Sequence, residues 1–112
     1  MSVSKVVRYT TKPECADENE RLIRDVFAEL AEHDPDGLHY VAFRLADRVS
    51  FVHVAVLDEE KNPLASSPAF AEFQRGIAGR CADGPVAADA QIIGSHRMPL
   101  GLFRTNRRSR PF

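Results

Sequence analysis

A single histidine, His53, stands in the middle of Val49–Leu57 (VSFVHVAVL), between Val52 and Val54. Imidazole titrates near pH 6.5, so such a group can take a proton from an acidic phenol or enol at neutral pH. The desolvated phenolate or enolate left behind could pass an electron to O₂, with a nearby arginine or tyrosine stabilising the developing anion. His53 is therefore the candidate catalytic base. Residues expected on the same strand face are the candidate substrate contacts: Tyr40, Arg44, Phe51, Asp89 and Gln91, with Arg8 as a further possibility. Each also has a plainer structural role open to it. His53 could hydrogen-bond across a subunit seam, and Tyr40 could simply pack. Arg44 could meet solvent or pair with Asp89, and Gln91 could satisfy a buried carbonyl.

Other chemistries find less support. No two histidines have the i,i+4 helical spacing and none pairs with a cysteine, so no metal site is expected. Gly76-Ile77-Ala78-Gly79 falls late in an expected helix, whereas dinucleotide-binding glycines precede one. Cys15 and Cys81 are widely separated and read as free thiols.

The elements that must position these side chains follow from pattern. Residues 4–11 (SKVVRYTT) are rich in β-branched side chains and stop at Lys12-Pro13, as a first strand would. Asp17 offers an N-cap with Glu20 as its capping-box partner, and Leu22, Ile23, Val26, Phe27 and Leu30 line one helical face. Asp34-Pro35-Asp36-Gly37 ends that helix. Leu38–Leu45 and Val49–Leu57, joined by Ala46-Asp47-Arg48, form an antiparallel hairpin. Ser67-Pro68 starts a second helix carrying Phe70, Phe73 and Ile77, which ends near Gly79 or Gly84. Val86–Arg97 alternates as a fourth strand.

The order β-α-β-β-α-β defines an α+β, ferredoxin-like chain with two helices on one face of a four-stranded antiparallel sheet. Val41, Phe43 and Leu45 with Val52, Val54 and Val56 make a purely apolar face, expected under the helices. The mixed face would then stay bare, and a second subunit or a ligand pocket would have to cover it.

Charge and length agree with this plan. The chain has 112 residues, 44% apolar, with a formal net charge of −1. Residues 98–112 carry Arg104, Arg107, Arg108 and Arg110 and no acid, a net of +4, which leaves −5 on residues 1–97. The expectation is one domain over 1–97 with a basic tail over 98–112. That tail could dock on a neighbouring subunit or touch phosphates, the one place where a nucleic-acid contact enters. No apolar run reaches membrane-spanning length and the first residues lack an apolar signal core, so a cytoplasmic, non-membrane protein is expected.

The residues also resemble a known family. Asp34-Pro35-x-Gly37-x-x-Tyr40 is similar to the turn entering the second strand of antibiotic biosynthesis monooxygenase-type domains. Phe51 and the strand running into Asp58-Glu59 resemble that family's third strand, and Ser67-Pro68-x-Phe70-x-x-Phe73 its second helix. The likeness covers roughly residues 4–97. It implies a dimeric α+β barrel, a homodimer, and for some members oxidation of phenols, quinols or polyketides by O₂ without a cofactor. The chain departs from the family at Ala55, where a glutamate is common, at Leu57, where an aromatic is, and at Ala69, where many relatives carry histidine. It has no Trp, and its second helix has no histidine to bind haem iron, which argues against haem degradation. The leading expectation is thus a cofactor-independent monooxygenase on a small aromatic, quinol or polyketide-like substrate. The alternatives are a non-catalytic or isomerase-type small-molecule-binding barrel, and a structural dimer module with a basic arm.

Overall fold

A computed structural model describes residues 2–58 and 60–98. Strand β1 (Ser2–Thr11) leads through a short 3₁₀ turn into helix α1 (Ala16–His33). Strands β2 (Leu38–Arg44) and β3 (Ser50–Asp58) follow, then α2 (Pro68–Arg75), a one-turn helix α3 (Ile77–Arg80) and β4 (Cys81–Ala90). The four strands form one sheet in the order β2-β3-β1-β4, with every neighbouring pair antiparallel. This is the expected α+β, ferredoxin-like arrangement. Of the expected basic tail, all but Met98 lies outside the described residues.

Local chemistry accounts for most boundaries. Asp47 closes the β2–β3 hairpin: its carboxylate accepts from the backbone N–H groups of Val49 (3.0 Å) and Ser50 (2.8 Å) and from the Ser50 hydroxyl (2.6 Å). Helix α1 ends at Asp34, whose left-handed backbone (φ 43°) lets its N–H reach the Leu30 carbonyl. Its start differs from expectation. The N-cap is Cys15, without a side-chain cap bond, and Asp17 and Glu20 both bond Arg44 instead of forming a capping box. Ser67 caps α2, its Oγ accepting from the Phe70 N–H at 3.0 Å while donating to Glu29 of α1.

Two further expectations are corrected. Helix α2 stops at Arg75 rather than near Gly79 or Gly84. The chain breaks at Gly76, where a side chain would meet the Arg80 guanidinium 2.8 Å away. The fourth strand is Cys81–Ala90, not Val86–Arg97: CADGPVAADA has little β propensity, but as an edge strand it is held by its ladder to β1, from Thr11↔Cys81 to Ser4↔Ala90.

The larger correction concerns the sheet's two sides. The mixed face lies under the helices and the purely apolar face points away from them. Register places Tyr9 beside Phe51, Val7 beside His53, Ala42 opposite His53 and Arg44 opposite Phe51. Tyr9, Phe51, Val26, Leu22, Ile23 and Phe73 form the buried core between sheet and helices. On the other side lie Val41, Phe43, Val52, Val54, Val6 and Val86, of which Phe43 is 47% and Val86 57% exposed. Arg8 opposes Val52 and Val86, so it belongs to this outer face and not to the pocket wall. The physical reason is volume. Aromatic rings of β1–β3 span the gap to the helices and find hydrogen bonds for their polar tips, whereas short valines could not fill it.

Candidate functional site

A pocket of about 340 Å³ opens between the inner sheet face and α2. Tyr40, His53 and Tyr9 line it on the sheet side, Phe70, Phe73 and Ile77 from the helical layer face them, and Lys5, Asn62 and Gln74 complete its polar lining. A larger cleft of about 780 Å³ lies between α1 and β2, but the Arg44, Glu20 and Arg24 charges on its walls pair with one another. The smaller pocket is the candidate site because it combines apolar walls with convergent polar groups.

Tyr40, His53 and Tyr9 belong to one continuous chain of hydrogen bonds. Tyr40 Oη lies 2.6 Å from His53 Nδ1, and Tyr9 Oη lies 2.8 Å from His53 Nε2. Asn19 of α1 donates through Nδ2 to Tyr9 Oη at 2.9 Å. Arg80 of α3 donates through Nε to Asn19 Oδ1 at 2.9 Å and through Nη2 to the Phe73 carbonyl at 2.8 Å. Asn19 is fully buried, and His53, Tyr9 and Arg80 nearly so. Rings fix the geometry further: Tyr9 stacks on Phe51 (5.5 Å between centroids), Tyr40 meets Phe27 (4.7 Å), and His53 meets Phe73 (5.4 Å).

Burial sets the protonation states. Desolvation lowers the His53 pKa to about 4, so the imidazole is neutral at pH 7. Burial raises the hydroxyl pKa of both Tyr9 and Tyr40 well above the usual tyrosine value, so both phenols stay protonated. The site is thus an uncharged donor–acceptor chain, reaching the pocket at Tyr40 and ending inside the protein at a cation, Arg80, that also sits 5.1 Å over the Phe73 ring.

The sequence candidates are distributed unevenly. Tyr40 and His53 meet at the pocket, and His53 sits in an intrachain network rather than at a subunit seam. Phe51 is buried beneath them as a packing partner of Tyr9 and does not line the pocket. Arg44 turns to α1, bonding Asp17 and Glu20 rather than Asp89, with its guanidinium 5.6 Å over Phe51. Asp89 forms an ion pair of 2.5 Å with Lys5, which borders the pocket. Gln91 is exposed past the end of β4 and is not brought to the site.

Tyr9, Asn19 and Arg80 were not among the candidates. Tyr9 follows Val7 in the period of β1, and Asn19 shares a helical stripe with Leu22, Ile23 and Val26. A lone polar residue in an apolar stripe was the available signal for Asn19. Arg80 had none, because its inward turn depends on the break at Gly76.

No protein-family model and no curated protein matches the sequence. Solved structures do. A candidate antibiotic biosynthesis monooxygenase from Bacteroides thetaiotaomicron matches with a TM-score of 0.71 at 16% identity, over 82% of this chain and 90% of its own. A variant of SnoaB, a cofactor-independent oxygenase from Streptomyces nogalater, matches at 0.63 and 17% identity, over 87% and 98%. A dimeric ferredoxin-like protein of unknown function from Jannaschia sp. matches at 0.62 and 16% identity, over 82% and 100%. The chain therefore has the ferredoxin-like α+β fold of antibiotic biosynthesis monooxygenase structures. Identities this low establish the fold and leave the activity to the site.

Proposed function

We propose that the chain is a cofactor-independent monooxygenase acting on a small aromatic, quinol or polyketide-like substrate in the 340 Å³ pocket. The observation that carries this reading is the neutral His53–Tyr40 pair at the polar wall of an otherwise largely apolar pocket. Both nitrogens of His53 are engaged by tyrosines, so its role is to hold and polarise Tyr40 rather than to take the substrate proton directly. The substrate oxygen bonds to the Tyr40 hydroxyl, which stabilises the enolate or phenolate form. The anion, whose proton has left to water, gives one electron to O₂. The radical and superoxide then combine as a peroxide, which regains the proton. Loss of water from that hydroperoxide turns a CH₂ into a C=O, so one oxygen atom enters the product and the other leaves as water. The named oxygenase among the structural neighbours supports this reading.

Oxygen uptake with a panel of quinols and anthrone-type ketones tests it. Substrate-dependent uptake should fall at least tenfold in Tyr40→Phe. Uptake equal to the buffer blank across the panel would remove the oxygenase reading and leave a non-catalytic binding barrel.

We further propose a homodimer through the outer sheet face. Valines on all four strands and an exposed Phe43 make this face largely apolar, and a structural neighbour is itself a dimeric ferredoxin-like protein.

A further inference from the structure

We infer that Arg80 and Asn19 fix the direction of every proton in the chain leading to the pocket, so that Tyr40 presents a hydrogen-bond donor and the site selects ligands bearing an acceptor oxygen, such as a ketone, quinone or enolate. The inference rests on the reading of this pocket as the substrate site and adds to it the class of group that the site accepts.

The buried end of the chain sets the order. A guanidinium only donates, so the Asn19 atom facing Arg80 Nε at 2.9 Å must be the amide oxygen. The amide nitrogen then faces Tyr9 and donates to its Oη at 2.9 Å. Tyr9 is 4% exposed, so its own proton needs an acceptor inside the protein, and His53 Nε2 lies 2.8 Å away. Nε2 therefore carries the lone pair and Nδ1 the proton of the neutral ring. Nδ1–H donates to Tyr40 Oη at 2.6 Å. Tyr40 is the first member of the chain whose proton is not used within it, and Tyr40 lines the pocket. Four groups on four elements are thus ordered by one cation, Arg80, that has no carboxylate partner among the described residues. Asn19 and Arg80 are positioning residues. They set the pocket's preference without touching what binds there.

A single-atom change should reverse the order. In Asn19→Asp both side-chain oxygens accept, one from Arg80 and the other from Tyr9. Tyr9 then accepts from His53 Nε2–H, Nδ1 carries the lone pair, and Tyr40 donates to it, leaving an acceptor toward the pocket. Two bicyclic probes of similar size separate the states: α-tetralone, which only accepts, and indole, whose N–H only donates. The wild-type protein should bind α-tetralone about tenfold more tightly than indole, the value of one hydrogen bond. Asn19→Asp should invert that preference. Nitrogen NMR of the His53 ring should show the Nδ1–H tautomer in the wild type and the Nε2–H tautomer in Asn19→Asp. An Nε2–H tautomer in the wild type, which needs no variant to fold, overturns the inference, as does a variant that leaves the selectivity unchanged. Neither measurement uses oxygen, so absent uptake with inverted selectivity would remove the oxygenase reading alone.

Discussion

Arg44 and Glu20 tie the end of β2 to the first turns of α1, with Arg44 Nη1 2.8 Å from Glu20 Oε1. The same guanidinium also bonds Asp17 and, through Nε and Nη2, the Arg48 carbonyl of the hairpin, so one side chain joins helix, strand and turn. Arg44 beside it, and Arg24 next, hold the Glu20 carboxyl below its ordinary pKa of 4.5. A depressed acid stabilises the fold above its unfolded pKa, and that contribution fades as pH falls through the folded value. Urea unfolding of Glu20→Gln should therefore match a weakened wild type at neutral pH. The gap between the two proteins should close as pH falls below about 4.5.

His53 adds acid sensitivity of the same sign in a higher pH window. Its folded pKa of about 4 lies below the ordinary 6.5, so between these values the unfolded chain binds the extra proton. Stability is complete above pH 6.5 and should fall by up to about 3 kcal/mol on the way to pH 4. His53→Gln, which has no titrating ring, should lose that slope while other acid-side losses remain. Denaturant midpoints measured across this window decide the matter. By the same reasoning, the pH profile of any activity should show no limb near 6.5.

The two tyrosines should differ in cost. Tyr9→Phe leaves the Asn19 amide and His53 Nε2 both without a partner inside the core, whereas Tyr40→Phe frees only Nδ1, at the pocket edge. Tyr9→Phe should destabilise by about 1–3 kcal/mol and Tyr40→Phe by less. Thermal unfolding should show a drop of several degrees for the first and a smaller one for the second.

The outer face makes a prediction about assembly. Phe43 is half exposed and opposes Val52 across the β2–β3 ladder. Phe43→Asp should place a charge in the proposed dimer interface and convert the dimer to a monomer on size-exclusion chromatography with light scattering. Its circular dichroism should be unchanged. A wild type that is already monomeric at micromolar concentration would overturn the interface.

The order of elements was legible because β-branched runs, an amphipathic stripe from Leu22 to Leu30 and the Asp34-Pro35-Asp36-Gly37 stop leave little choice. The grouping of Tyr40 with His53 was legible too, since alternation places them on one face. Which face met the helices was not. Both faces of β3 are largely apolar, and period two separates two sides without saying which is inner. The inner side is decided by aromatic volume in β1, β2 and β3 together, a property of three strands at once. The start of β4 was hidden because its pairing with β1, rather than its own residues, makes it a strand. Arg80 was hidden because a break in the backbone at Gly76, and no pattern around position 80, turns it inward.

The alternation of β3 has a consequence for how this chain can change over generations. Phe51, His53 and Ala55 point inward, while Val52 and Val54 point to the outer surface, one peptide away. The proposed ligand recognition and the proposed subunit recognition are therefore written on alternate letters of one short word. A substitution at an odd position edits the first and spares the second, and the reverse holds at even positions. Inserting or deleting one codon near Ser50 would transpose the two texts, sending the imidazole to the outside and valine into the pocket. Point mutations can retune either property alone, but a length change within this strand should be tolerated by neither.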